Sequence, residues 1–386
     1  MGKPHFTRHT IGTAENPEGP APMNTLFNVA DLNQDGRPDI LVSGRDGYLF
    51  WFENQGEDRP WIRHLVSQVT AQECGGLAYD LTGNGTLDII NGGDWRSDEL
   101  AWWENPGSAD GEWTRHIIMR TGYNQYHDER VGVVTTDQRR SLIAWNQGNG
   151  TLYRVPLPEN PYVSPWPEIE VIATGKYGVN AQGAPQAEEG LDIADLDGDG
   201  QNEIIAGTHW YKHTEQGWAG YRFADPHYIT TLVVAGDLDG DGKLEIVLSE
   251  GDACIYGNVQ GGRLAWFKAG PDITAPWEEH LIASGLLDPH SLQLGDLCGN
   301  GRLDILVGEI GVAETIATQK PRLMIFENQG NGSFTQHVID EGTGTHHARL
   351  AELRRPGVLD IVSRPLHGPE KWLVFAWYND SPTKDA

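Results

Sequence analysis

The 386-residue chain carries a net charge of −27 and shows no basic stripe of the kind nucleic-acid binding needs; a polyanionic ligand would have to find a local basic pocket, whereas a neutral sugar meets no such barrier. Its apolar content of 38% excludes disorder, and 48 glycines with 14 tryptophans fit many short strands joined by glycine-rich turns. Cys74, Cys254 and Cys298 form neither a pairing pattern nor a zinc spacing, and no stretch approaches the roughly 18 apolar residues of a membrane span. The start, MGKPHFTRHTIG, has no signal-peptide run, which predicts a cytoplasmic protein or the mature form of a secreted or periplasmic one.

In chain order, one motif recurs: ADLNQDG at 30–36, YDLTGNG at 79–85, ADLDGDG at 194–200, GDLDGDG at 236–242 and GDLCGNG at 295–301. A short apolar run follows each copy, as in Asp39-Ile40-Leu41-Val42 and Glu245-Ile246-Val247. Two worn copies, 134–144 and 351–362, keep only the apolar run. The anchors Asp31, Asp80, Thr135, Asp195, Asp237, Asp296 and Glu352 lie roughly 40 to 60 residues apart, the period of propellers and repeat arrays.

Each repeat reads as four strands. The first enters the acidic loop and the second leaves it; the third is aromatic, as in Phe50-Trp51-Phe52-Glu53-Asn54, and the fourth has the form Trp61-Ile62-Arg63-His64-Leu65. Seven such sheets predict an all-β, seven-bladed propeller occupying 1–386 as one domain. The N-terminal run 6–11 resembles a fourth strand with no blade before it, and the chain ends on a third strand, so the N-terminal strand is expected to complete the last blade. Insertions at 156–167, 175–185 and 311–319 mark elaborated loops.

Three loops place oxygen donors at positions 1, 3, 5 and 9: Asp31, Asn33, Asp35 and Asp39; Asp195, Asp197, Asp199 and Glu203; Asp237, Asp239, Asp241 and Glu245. Alternating carboxylates around a glycine turn suit Ca2+, the alternative being plain Asp-rich turns. Thr82 with Asn84, and Cys298 with Asn300, impoverish two further copies. These loops resemble the FG-GAP or VCBS repeat of calcium-loop propellers. The resemblance implies structural calcium on the face opposite the usual ligand surface.

On that opposite face the frame collects residues about six before each anchor, namely Thr25, Glu73, Cys74, His127, Asp128, Glu129, Glu188, Glu189, His290, His346 and His347. The turns between second and third strands add Arg45, Asp94, Trp95, His209, Trp210, Glu250, Asp252, Glu309, Arg364 and His367. His9, His64, His116, His280 and His337 occupy the repeated fourth-strand place and are expected to pack. His209, His290, His346, His347 and His367 break the repeat, while His227 fits either class. Neutral histidine suits proton transfer near neutral pH or ligation of a divalent metal such as Zn2+ or Mg2+ with an open position. Trp95, Trp210, Tyr123, Tyr126 and Tyr228 suit stacking on sugar rings.

The segments DPHSLQLGD (288–296), GTGTHHARL (342–350) and RPLHGPEKW (364–372) resemble the propellers of rhamnose–glucuronate and ulvan lyases and of aldos-2-ulose dehydratase. That resemblance implies β-elimination on a mono-, oligo- or polysaccharide. In this reading His290 and His347 are acid or base, His346 and His209 are metal ligands or partners, and Arg45 or Arg349 neutralises the developing charge. His127, Glu189, Trp95, Trp210, His227, Glu250 and His367 are expected to contact substrate. The alternatives are a non-catalytic calcium-dependent carbohydrate-binding or adhesion propeller, and a glycoside hydrolase using carboxylates among Glu73, Glu189, Glu250 and Glu309.

Overall fold

In a computed structural model, residues 3–19, 25, 27–56, 59–175, 178, 179, 183–186, 188–311 and 319–381 are described, and none of them is helical. No described helix is therefore long and apolar enough to cross a membrane. Seven four-stranded antiparallel sheets make a seven-bladed β-propeller. Blade one is Phe27–Ala30, Asp39–Val42, Leu49–Glu53 and Ile62–Ser67. Blades two to six repeat it, with first strands Leu77–Tyr79, Tyr126–Val133, Leu191–Ala194, Thr231–Gly236 and Ser291–Gly295. Blade seven takes Arg349–Ala351, Asp360–Ser363 and Leu373–Asn379 from the end of the chain and Phe6–Thr13 from its start, with Phe6 opposite Asn379. A small hairpin, Gly178–Val179 with Pro185–Gln186, falls at the second insertion; 176, 177, 180–182 and 312–318 lie outside the described residues.

The second and third strands are apolar on both faces because each blade is covered by two neighbours. Each pair of consecutive blades shares one buried cluster. Between blades seven and one this cluster combines Val362, Val374 and Ala376 with Ile40, Phe50 and Phe52, and Ile11 of the N-terminal strand joins it. The repeated histidines pack as expected: His64, His116 and His280 stack on Trp51, Trp102 and Trp266 with ring centroids 4.4, 4.3 and 4.1 Å apart.

A repeated asparagine at the end of the third strand ties neighbouring blades together. The backbone N–H of Asn54, Asn105, Asn328 and Asn379 donates to the position-nine carboxylates Asp39, Asp88, Asp304 and Asp360 at 2.7–2.9 Å. Each side-chain amide then donates to a leucine carbonyl of the preceding blade: Asn105 to Leu32 (2.8 Å), Asn328 to Leu238 (2.7 Å), Asn379 to Leu297 (3.1 Å) and Asn54 to Leu353 (3.0 Å). The last of these crosses the closure between the two ends of the chain.

Replacing Asn54 by Ala strands the buried Leu353 carbonyl. We expect a loss of about 1–3 kcal/mol in unfolding free energy, measured by urea denaturation, with the same change at an exposed asparagine such as Asn160 costing far less.

Candidate active site

First strands of consecutive blades touch around the axis, with Arg349–Ala351 of blade seven meeting Phe27–Ala30 of blade one. Residues just ahead of these strands therefore gather at one end of the axis, and the acidic loops hang at the other. His290 and Asp296, six residues apart in blade six, are separated by roughly 20 Å of extended chain.

Four imidazoles from three blades meet at the first end. His290 stacks on His346 at 4.5 Å between centroids, His346 lies 4.7 Å from His347, and His347 lies 5.0 Å from His290 and 5.6 Å from His127. Acidic and thiol groups from other blades surround them. Cys74 Sγ is 2.7 Å from His127 Nε2, Asp128 Oδ2 is 2.8 Å from His127 Nδ1, and Glu189 Oε2 lies 3.4 Å from His127 Nε2 and 3.1 Å from His290 Nε2. Asp252 stands 3.7 Å from His290 Nε2. All four histidines, Cys74 and Glu189 are buried.

Local backbone strain makes this convergence. An extended strand would send His346 and His347 to opposite faces, but His347 has φ +54°, which turns both rings into the cluster. Asp128 has φ +58° and sits in a bulge between His127 and Glu129, so its carboxylate reaches back to the neighbouring imidazole. Gly75, at φ +97°, permits the close approach: a Cβ there would fall 2.4 Å from the Asp128 backbone nitrogen. The Gly190 N–H, 2.9 Å from Asp128 Oδ2, completes the hold on that carboxylate.

The cluster divides electrostatically. Burial opposes a charge on His127, but Cys74 beside it, then the carboxylates of Glu189 and Asp128, hold its pKa well above the ordinary 6.5. Burial likewise opposes a charge on His290, and Asp252 and Glu189 outweigh it. His346 and His347 are pushed well below the ordinary value, first by burial and then by their charged neighbours, among them Arg364 beside His346 and Arg349 beside His347. Burial alone would raise Glu189, yet His127 and His290 hold it low; Asp252 is pushed up to about 7, chiefly by burial.

An axial cavity of about 260 Å³ runs from this cluster between the first strands. Asp128, His290 and His347 stand at its upper end, and Arg130, Asp192 and Arg349 line it farther in. Burial, then the nearby Arg130 charge, lowers Arg349 to about 10, the signature of two guanidinium groups facing one space.

His127, Glu189, His290, His346 and His347 thus converge as the repeat frame predicts, and Arg349, expected only through the lyase resemblance, joins them. Arg45 lies at the edge, paired with Glu73 at 2.9 Å and stacked 4.6 Å from exposed Trp95 on the rim. Other expected residues stand elsewhere. Trp210 is only 1% exposed, facing Ile205 in the register and packed on Tyr221 at 4.5 Å, so it belongs to the core between blades four and five. Both Glu250 oxygens are taken by Arg263 and the Ile229 N–H. His227 is on an exposed turn, 2.6 Å from Asp225. His209 is beside Glu188 at 4.0 Å and is lowered to about 4 by burial and Arg222. His367 is half-buried on the 364–372 loop. Of the aromatics, Tyr126 and Tyr228 are fully buried, while Tyr123 stays exposed near Trp95. Cys74, Asp128 and Asp252 fall on the face that the repeat frame collects but were given no role there, and Arg130 was not anticipated.

The chemistry of the donors tests the expected metals. One nitrogen each of His127, His290 and His347 lies within 4.8 Å of the others, and His347 Nε2 is buried without a hydrogen-bond partner, a set that fits zinc. Magnesium, which prefers oxygen, fits it poorly. At the far end, Asp195, Asp197 and Asp199 keep oxygens within 4.8 Å of one another, but a lysine ammonium lies among the acids of blades four and five, so these two loops do not fit calcium. In blade one, Asn33 donates to Asp35 and Glu53, and Arg37 pairs with Asp35.

Residues 31–90 match the FG-GAP-like repeat family model. No curated protein sequence matches the chain. Among solved structures, rhamnogalacturonan lyase YesW is similar over 100% of this chain and 76% of its own, with 16% identity and a TM-score of 0.50. A Bacillus licheniformis rhamnogalacturonan lyase is similar over 99% and 75%, with 15% identity and a TM-score of 0.51. BBS1N in complex with ARL6DN is similar over 99% and 98%, with 8% identity and a TM-score of 0.55. At such identities the shared property is the fold.

The division of the cluster is measurable. At pH 6.5, imidazole NMR of the wild type and single His→Asn variants should assign two protonated rings, His127 and His290, and two neutral ones, His346 and His347. Four ordinary titrations would contradict it.

Proposed function

We propose that this propeller is a carbohydrate lyase that performs β-elimination on a small acidic or keto sugar seated in the axial cavity. The observation that carries the reading is the contact of four buried imidazoles above a cavity lined by Arg130 and Arg349; carboxylates push two of these rings up in pKa, and burial pushes the other two down. Two titratable groups pushed apart in pKa are what acid–base chemistry requires. The fold shared with two rhamnogalacturonan lyases supports it as an analogy only.

In this reaction the neutral His347 removes the proton from the carbon beside the sugar's carboxylate or carbonyl. The C–H electrons form the carbon–carbon double bond as the β C–O bond breaks, and the departing oxygen takes a proton from the His290 imidazolium. Arg349 and Arg130 face the negative charge that develops on the carboxylate or carbonyl oxygens. Asp128, itself fixed by Gly190, orients His127 beside the reacting groups. Zinc held by His127, His290 and His347, which would have to displace the protons of the first two rings, would supply a Lewis acid for a sugar oxygen in place of the acid–base pair. The acid–base route has its own donors and acceptors, so turnover is expected to survive chelator dialysis.

Incubation with uronic-acid glycosides and keto-sugars should yield an unsaturated product detectable by ultraviolet absorbance. His347→Asn should lower kcat/KM by roughly 10²–10⁴-fold with the fold intact. Saturated products would instead indicate a hydrolase, and binding without turnover a recognition propeller.

The pH profile follows from the signs. His347 must be neutral, so activity falls as pH drops through its depressed pKa; His290 must be protonated, so activity falls as pH rises through its raised pKa. The plateau therefore spans 6.5. Glu189→Gln removes an anion that sustains the His290 charge and should move the alkaline limb to lower pH.

A further inference from the structure

We propose that in blades four and five the ammonium groups of Lys212 and Lys268 occupy the position of a loop cation, so that these two loops take up no calcium until the lysine is removed. The inference is independent of the lyase reading.

Lys212 Nζ lies 2.5 Å from Asp197 Oδ2, 2.6 Å from Asp199 Oδ2 and 3.0 Å from Glu203 Oε1. Lys268 Nζ repeats this in blade five, contacting Asp239, Asp241 at 2.7 Å and Glu245 at 3.2 Å. These are the acids of positions 3, 5 and 9. Calcium would need the same oxygens at about 2.4 Å, so ion and ammonium would claim one place. The position-1 acids are already engaged by backbone: Asp195 accepts from Gly198 and Gly200, and Asp237 from Gly240 and Gly242.

The repeat itself supplies a control. Pairing of Ile204 with Tyr211 and of Ile246 with Phe267 sets each lysine beside the position-nine glutamate. Where position nine is Asp39, Asp88 or Asp304, the facing residue is Glu53, Glu104 or Glu327, and these turn to His64, His116 and His337 at 2.8, 3.3 and 2.8 Å. In these five blades the two positions change together, from Asp with Glu to Glu with Lys, while in blade seven Asp360 faces Tyr378. Blades four and five also carry His213 and Ala269 where four other blades have the inter-blade asparagine. The lysine thus draws the loop onto the third strand in the blades that lack the amide.

The test uses the metal-stripped full-length chain and calcium at several times the roughly millimolar affinity of weak sites. Asp197→Asn with Asp239→Asn should leave wild-type calcium uptake unchanged. Lys212→Met with Lys268→Met should gain about two ions per chain and acquire a Tm that rises with calcium. Wild-type uptake that falls in the Asp→Asn variant would overturn the proposal, as would a folded lysine variant that gains no ion. Should the double lysine variant not fold, each single variant should gain about one ion, and the wild-type comparison decides alone.

Discussion

A propeller is rid of its sheet edges only when the first strand of the chain completes the last blade, and the rest of this molecule depends on that closure. Phe6–Thr13 pairs along the full length of Leu373–Asn379, and Ile11 enters the cluster shared by blades seven and one. The Asn54 amide, bound to the Leu353 carbonyl, makes across the closure the same bond that Asn105 makes to Leu32 within the chain. The closure is therefore built like the three other interfaces that an asparagine bridges.

A ring held from both sides can retain backbone that would relax elsewhere. His347 and Asp128 both lie in the left-handed region, where a side chain is disfavoured. Each is fixed by groups from other blades: His347 N–H donates to the His290 carbonyl, and Asp128 accepts from Gly190 and His127 while Gly75 presses on its backbone. The strain places consecutive side chains in one cluster, and imidazoles that share no blade come within contact.

The acidic repeat made the fold and its two ends legible, because its spacing depends on local chain geometry. The same ruler brought His127, Glu189, His290, His346 and His347 to one end of the axis. It failed where the outcome depends on which way a side chain turns. Trp210 and Glu250 have the right position along their strands but face the core and Arg263. Asp128 acts through a bulge that residue type does not announce. In the loops, the acids are plain in the sequence, whereas Lys212 and Lys268 stand on another strand and become relevant only through cross-strand register.

The two ends of the axis treat charge in opposite ways. At the loop end of blades four and five, one lysine ammonium stands among the four acids of each loop, so part of the local charge is cancelled where it is generated. At the histidine end, the carboxylates sustain imidazolium charge, while Arg130 and Arg349 face an open cavity in a molecule whose net charge is −27. Salt screens exposed charges beyond about 10 Å at 0.1 M, so the surface excess of acid acts weakly on an anion inside, where Arg130 and Arg349 stand with Asp128 and Asp192. A chain-like polyanion would keep most of its charges among the surface acids, whereas a small acidic sugar brings its single charge to the arginines. The cavity of about 260 Å³ favours the small ligand on the same grounds.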